Sequence, residues 1–389
     1  MENTIRKVVV AAYGRSPVGK ATKGSMAHIH PVDLGSQVLN GVLERVPQLQ
    51  KSEIDDILVG CARPSGKQGF NMARLIATRA GLPDSVSAAT VNRFCSSGLT
   101  TIAMAANSIM ARQNDVVVAG GVECLSLPNP NENGPDKQDP DLAQMRPGAY
   151  LAMGLTAENV AEKYHVSVED MNRFSVASHA KATAARSSGA FVREIIPIRI
   201  KREDGSEFVM TQDECIRPDT SMEGLAKLKP CFKDDGLVTA GTSSQLSDGA
   251  SFVVLMSEEK AAELGIKPIA RFVAFAVAGV PTEIMGIGPI AAVPKVMKLA
   301  GMSVEDMDVI ELNEAFAAQA IPCVRELNLP TDRLNPRGGA IALGHPNGAT
   351  GAILSCKAFS YLEDIHGKYA LVTMCVGGGM GAACIWEKL

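Results

Sequence analysis

The sequence is poor in aromatic side chains. Phe, Tyr and Trp make up 4% of its 389 residues, with a single Trp. A core with so few rings must be aliphatic, and 36 glycines let backbone segments approach closely. Long apolar runs are missing as well. None reaches the ~20 residues of a membrane helix, so no membrane insertion is expected. Met1 to Lys20 holds one short apolar run, Val8 to Tyr13, too short for a signal peptide and without a small-residue cleavage site. The expected location is cytoplasmic. Positive charge is not in excess either: 38 Lys and Arg stand against 42 Asp and Glu, a formal net charge of −4. With no basic block, nothing draws the chain to nucleic acid. The nine cysteines are odd in number, and no pair has C-x-x-C spacing. That argues against a disulfide framework, a zinc ribbon or a dithiol site. The default for each is a small buried apolar residue.

The length is too great for one ordinary core and predicts two domains or two similar halves. Short Val/Ile-rich runs read as buried strands: Lys7–Ala12, Asp56–Gly60, Asp115–Gly120, Ser251–Met256, Asp308–Glu311 and Tyr369–Met374. They alternate with helical patterns such as Thr100–Arg112 and Gly351–Glu363, which predicts an α/β fold with sheets covered on both faces. An internal repeat is visible. The segment from Ser52 is echoed from Ser303, and Val91-Asn92 is echoed by Leu334-Asn335. Each is followed by a Gly-containing turn, a helix and a strand, so a duplicated unit is expected. Between the halves, Leu125–Gly148 is rich in Pro, Asn, Asp and Gln and reads as a loop. Helical segments Thr156–Tyr164 and Ser167–Ser187 follow, then a hairpin over Ile195–Thr211 turning at Asp204-Gly205. Residues 119–238 form an excursion from the first half, of a length that is often functional. The expected division is 1–118 with 239–266, the inserted loop domain 119–238, and 267–389.

Four segments carry residues suited to chemistry. Val91-Asn-Arg-Phe-Cys95-Ser-Ser-Gly puts a cysteine between an extended segment and a helix starting near Ser96. Open N–H groups and the positive helix end favour a thiolate there, while a buried structural Cys is the bland alternative. Gly338-Gly-Ala-Ile-Ala-Leu-Gly344-His345-Pro346-Asn-Gly348 holds a histidine on a stripped loop before a helix. It is either a turn histidine or the base a thiol nucleophile needs. Cys375-Val-Gly377-Gly-Gly379-Met-Gly-Ala382 formally matches a dinucleotide-binding G-x-G-x-x-A. Too few residues follow Ala382 for that motif's helix, second strand and acidic residue. What remains is a second Cys on a turn able to bind an anion. Glu311-Leu-Asn313-Glu314-Ala315-Phe316 places polar groups at a strand end, with Asn313 either a helix N-cap or a site residue.

Together these segments resemble the thiolase family over nearly the whole chain. The motifs are Asn92-Arg-Phe-Cys95-Ser-Ser-Gly-Leu, Asn313-Glu-Ala-Phe, Gly344-His345-Pro346-x-Gly348 and Cys375-x-Gly-Gly-Gly-x-Gly. Cys95-Ser-Ser-Gly, Ile216-Arg217-Pro218 and Met222 to Pro230 look more like the degradative 3-ketoacyl-CoA thiolases than the biosynthetic branch. The resemblance implies duplicated βαβαβαββ halves in a five-layer αβαβα arrangement, with a loop domain that binds CoA. It implies thiolytic cleavage of 3-ketoacyl-CoA by CoA, in fatty acid β-oxidation. Cys95 would carry the acyl group, His345 would activate it, and Cys375 would exchange a proton with the α-carbon and with the CoA thiol. Asn313 would hold a water in one oxyanion hole, and the amides of Cys95 and Gly377 would form the other. Arg217, Gly224, Met153, Ser244, Ala315 and Phe316 would contact CoA. No metal or redox cofactor is implied, since CoA and acyl-CoA are substrates.

The chain departs from the family pattern at Thr242, where an Asn is usual, and at Asn347, where Leu or Ile is common. Ala152 stands where the biosynthetic enzymes place a His. The tetramer-forming loop of that branch is not recognisable in Leu125–Gly148, so a homodimer is expected before a homotetramer. A β-oxidation enzyme is the protein partner the resemblance admits. Two rival functions remain: an acetyl-CoA C-acetyltransferase forming acetoacetyl-CoA with the same residues, and a non-catalytic acyl-CoA-binding subunit. A decarboxylating condensing enzyme would place a second His where Cys375 stands.

Overall fold

The computed structural model describes residues 5–127, 137–202 and 204–389. The Pro/Asn-rich run at 128–135 lies outside them. The strands are β1 (Val8–Arg15), β2 (Gly19–Lys20), β3 (Asp56–Gly60), β4 (Ser87–Val91), β5 (Val116–Cys124), β6 (Ile198–Lys201), β7 (Glu207–Met210), β8 (Ser247–Ser257), β9 (Ala270–Gly279), β10 (Val309–Leu312), β11 (Tyr369–Val376) and β12 (Met380–Lys388). The helices of the first part are α1 (Pro31–Leu43), α2 (Met72–Arg79), α3 (Ser97–Met110), α4 (Pro140–Met145), α5 (Met153–Lys163), α6 (Val168–Ser187), α7 (Met222–Ala226) and α8 (Glu258–Glu263). Those of the second are α9 (Gly288–Ala300), α10 (Ala317–Glu326), α11 (Ala340–Leu343) and α12 (Asn347–Ile365).

The main sheet runs β10-β11-β12-β9-β1-β8-β5-β3-β4, with β2 beside β8. Its two parts meet only where β1 pairs with β9, through Val9–Arg271 and Val10–Ala270. β3 pairs parallel with β4 and β5, and β10 with β11, while the remaining neighbours run antiparallel. Three apolar cores separate the layers. One joins α1 and α2 to the first sheet, one holds α3 and α12 between the two sheets, and one joins α9 and α10 to the second. The result is the αβαβα arrangement. The central layer is dry enough to hold Trp386 with no accessible surface, ringed edge-on by Phe272 and Phe359.

Both halves follow one plan, with a strut that corrects the repeat alignment. Asp55 accepts hydrogen bonds from the amides of Asp115 and Val116, and Asp308 accepts them from those of Lys368 and Tyr369. These equivalents are 253 positions apart, not the 251 suggested by matching Ser52 to Ser303. The second half also lacks a full counterpart of β4. Only Leu334 bridges to Ile310 there. The Asn335 side chain does the remaining work: its Oδ1 accepts from the Leu312 amide and its Nδ2 donates to the Leu312 carbonyl, both at 2.9 Å. One amide side chain thus satisfies the sheet edge that β4 covers in the first half.

The segment between β5 and β8 contains α4 to α7 and the β6–β7 hairpin, whose turn has Gly205 at φ +83°. Residues 140–145, read as loop from composition, form α4, because Asp139 caps it and Pro140 occupies its first turn. Ser167 caps α6 by accepting from the Asp170 amide, with Glu169 and Asp170 in the first turn where the dipole favours acids. β9 and β12 were not legible as strands from apolar runs. Small residues interrupt both, since Ala276 pairs with Ala383 and Ala278 with Gly381.

Candidate active site

The first turns of α3 and α12 touch in the central layer. A Cβ on Gly98 would lie 2.7 Å from the Gly348 carbonyl, and one on Gly351 would lie 2.5 Å from Leu99 Cβ. Only glycine permits that approach. Cys95 precedes α3 and His345 precedes α12, so the helix contact draws the two together. Neither helix has a side-chain N-cap of its own.

The turn into α3 is strained. Phe94 has φ +43°, an unfavourable value for a bulky residue. Asn92 Oδ1 accepts from the Phe94 amide at 2.7 Å, and Ser97 Oγ accepts from the Arg93 amide at 2.9 Å. These bonds hold the bend that presents Cys95. The Cys95 thiol is half-buried, and burial pushes its pKa up to about 11, against the pull of the Gly377 and Cys95 amides. This corrects the expectation of a resting thiolate. The helix end is present, but desolvation, with the Glu123 charge adding to it, outweighs that end and the pull of Arg63.

His345 is buried, and burial lowers its pKa to about 4, so the imidazole is neutral at pH 7. Its Nδ1 meets Thr350 Oγ1 at 2.7 Å and its Nε2 meets Asn313 Nδ2 at 3.4 Å. The His345 amide donates to the Gln245 carbonyl and to Ser247 Oγ. The one-turn helix α11 and Gly344 at φ +97° precede it, so the segment is not wholly loop. Asn313 is not a helix N-cap, since α10 begins at Ala317. Its backbone N–H donates to the Thr373 carbonyl, and its buried Oδ1 has no hydrogen-bond partner among the described residues.

Cys375 lies within β11, fully buried, one residue before the strand's end. Burial raises its pKa well above the thiol norm, and the nearby Cys95 adds to the rise. Gly377–Gly379 turn β11 back into β12, with Gly378 and Gly379 at φ +79° and +82°. No helix follows, so the dinucleotide-binding pattern is formal only.

Of the other expected residues, Met153, Ala315, Phe316 and Ser244 gather here. A Cβ on Gly377 would lie 3.6 Å from Met153 Sδ and 3.5 Å from the Phe94 ring. The Ser244 amide donates to the Ala315 carbonyl, Ser243 bridges Phe316, and Phe232 packs edge-on against Phe316. Arg217 and Gly224 are exposed and stand apart from the buried set. Arg217 reaches it through Gln245 Oε1 at 3.3 Å, and the Gly224 amide is taken by Ser221 Oγ. The variant Thr242 is satisfied locally, within a capping box with Thr239. Ala152 is exposed at the start of α5, and Asn347 opens α12.

Two buried carboxylates support the site, Glu123, which the sequence reading missed, and Glu314, which it placed at the strand end without a partner. Glu123 accepts from the amides of Ala62, Arg63 and Gly348 and from Gln68 Nε2. It is therefore the N-terminal cap of α12, supplied by the other half. Burial raises its pKa and these donors oppose the rise. Glu314 accepts from Ser178 Oγ, Asn335 Nδ2 and the Ile341 amide, which ties α6 and α11 to the strand end at Asn313. A signal existed for Glu123, the one charged residue in an otherwise apolar strand.

These features point to an acyltransferase with a thiol nucleophile, and the comparisons give the family. The thiolase N-terminal domain matches residues 8–259 and the thiolase C-terminal domain matches 266–388. The chain belongs to the thiolase family. It is 46% identical to a 3-ketoacyl-CoA thiolase of Bacillus subtilis, over 98% of this chain and all of that protein. It is 44% identical to one of Vibrio parahaemolyticus over the full length of both. The solved structure of a Bacillus anthracis acetyl-CoA acetyltransferase superposes with TM-score 0.92 at 39% identity, covering 100% of both chains. Among the described residues no helix is long and apolar enough to cross a membrane.

Proposed function

We propose that this thiolase cleaves 3-ketoacyl-CoA by CoA, giving acetyl-CoA and a shortened acyl-CoA through an acyl-Cys95 intermediate. The observation that carries the reading is the close approach of the α3 and α12 starts at Gly98 and Gly348, which sets Cys95 of one half beside His345 of the other, with Asn313 at 3.4 Å from the imidazole. Cys95 attacks the 3-keto carbon and its proton passes to neutral His345. The amides of Cys95 and Gly377 face the oxygen that becomes negative. Collapse breaks the bond between C2 and C3 and leaves the acetyl-CoA enolate. Asn313, through a water, and His345 stabilise that enolate's oxygen. Cys375 protonates its carbon, a task suited to a thiol that burial keeps protonated. Incoming CoA then attacks acyl-Cys95, its thiol proton returns to the Cys375 thiolate, and the proton held by His345 returns to Cys95. The scheme balances without metal or redox cofactor.

Met153, Ser244, Ala315 and Phe316 line the approach to Gly377 and Asn313, which supports CoA entering between the 119–238 insert and the second half, with Arg217 and Gly224 at the outer rim. The same reading makes the protein a cytoplasmic homodimer of fatty acid β-oxidation, which light scattering and fractionation test. Intact-mass analysis with 3-ketoacyl-CoA should show an acyl adduct on Cys95. CoA binding without an adduct would make the chain a binding subunit instead. The superposition on an acetyl-CoA acetyltransferase favours a second reading, synthesis of acetoacetyl-CoA. A chain-length profile separates the two. Activity restricted to the four-carbon substrate would select the second.

A further inference from the structure

Lys357 has no accessible side-chain surface and sits in the middle of α12. Its Nζ donates to Glu311 Oε2 at 2.7 Å and to the Gly338 carbonyl at 2.6 Å. Glu311 is equally buried, and its other oxygen has no hydrogen-bond partner among the described residues. Such a pair is an expensive way to fill a core. Desolvation of both charges offsets most of their attraction, and apolar residues of similar volume often serve as well or better. The position of its two bonds supplies a reason for it.

Glu311 lies in β10, two residues before Asn313. Gly338 begins the segment that runs through α11 and Gly344 to His345. A void of about 10 Å³ under this segment is lined by Lys357, Gly339, Gly344, Pro346 and Thr350. Lys357 therefore reaches from α12 to the strand that carries Asn313 and to the start of the loop that carries His345. Those two side chains meet at 3.4 Å. Thr350, which orients the His345 ring, is on the same helix as Lys357.

We propose that Lys357 is a positioning residue that fixes the register of the Asn313 strand end against the His345 loop. It touches no substrate. It acts by holding the two groups at the separation the reaction uses. The inference rests on the roles given above to Asn313 and His345.

Four purified full-length variants test it, assayed for thiolysis of acetoacetyl-CoA beside the wild type. Lys357→Met should lower kcat on the order of 100-fold, the size expected when a reacting group is misplaced by about 1 Å, with KM within twofold. Lys357→Arg, which can donate to both oxygens, should recover at least a third of the lost kcat. The double variant Glu311→Leu/Lys357→Met removes the buried carboxylate that the single change would strand. It should melt near the wild type and stay slow. Recovery of its kcat to within twofold of the wild type would overturn the proposal, leaving Lys357 a partner for Glu311 and nothing more. An unchanged kcat in Lys357→Met would do the same. His345→Ala is the control: full activity in that variant would refute the catalytic reading itself, whereas its loss beside an active Lys357→Met would refute only the positioning role.

Discussion

The two halves share a scaffold and differ at one turn. In each, an aspartate strut fixes the start of the inner strand, and an inner helix points its first turn at the centre of the molecule. The first half keeps β4 and bends sharply at Phe94, so the residue ahead of its helix is Cys95. The second half reduces that strand to one bridge, seals the edge with Asn335 and spends the freed chain on α11 and Gly344. The residue delivered to the equivalent place is His345. The two halves supply helix starts that meet, and divergence at the turn put a cysteine at one and a histidine at the other. Glu123 crosses between them, a first-half residue capping a second-half helix.

The sharpest break of the comparison separates the two thiols, half-buried Cys95 and buried Cys375. Cys95→Ala should abolish the acyl adduct and lower thiolysis by at least about 10⁴-fold, the scale of losing a covalent nucleophile. Cys375→Ala should slow thiolysis nearly as much, yet still transfer an acetyl group from acetyl-CoA to Cys95, because that exchange needs no carbon acid. Intact mass after mixing with acetyl-CoA reads the difference. Equal loss of the adduct in both variants would erase the distinction between nucleophile and proton carrier.

A smaller effect is expected at Asn313. Asn313→Ala should cost on the order of 10²- to 10³-fold in kcat, as for one lost oxyanion donor, with KM little changed. A rise in KM with kcat intact would move Asn313 from the reaction to substrate binding.

How much of this was readable beforehand depends on the kind of signal. Cys95, His345 and Cys375 stood out because small residues and glycine lie beside them in the chain, and Asn313 because it is polar at the end of an apolar run; such local flanks survive in sequence. In the first half β1, β3, β5 and β8 were legible from their apolar runs. β9 and β12 were not, because alanine and glycine at their close approaches break the Val/Ile signature. The partners of Glu123 and Lys357 could not be read from the sequence, since Gly348 and Glu311 are 225 and 46 positions away. Resting protonation was misjudged at Cys95 for a related reason. A helix end is local and visible, whereas the burial that outweighs it is made by the other half.

The pH profile sharpens the same point with a smaller effect. His345 must be neutral to take the Cys95 proton, and burial lowers its pKa to about 4. Protonation at falling pH therefore shuts off acylation only near that value. At pH 5.5 an imidazole of ordinary pKa, about 6.5, would already have cost roughly tenfold. Here kcat/KM should stay nearly flat from pH 7 to 5.5, measured with the protein held folded at each pH. An acid limb centred near 6.5 would mean that His345 is solvated in the working enzyme.

The smallest effect tests the shared scaffold itself. Asp55 and Asp308 each accept two backbone N–H bonds, at 2.7 and 2.9 Å in the first half and 2.6 and 2.9 Å in the second. Neither touches the site, so replacement by alanine should leave kcat and KM unchanged. Each loss should cost about 1.5–3 kcal/mol, the range for hydrogen bonds to a charged group. Equal chemistry in equal places predicts equal costs, read as shifts in the denaturation midpoint. The double variant should show their sum, because the struts lie in different halves and share no partner. A cost at Asp55 several times that at Asp308 would show that the halves, alike in backbone, no longer bear load alike. The first half would then be the one that needs its strut, as the half that must hold Phe94 strained against Cys95.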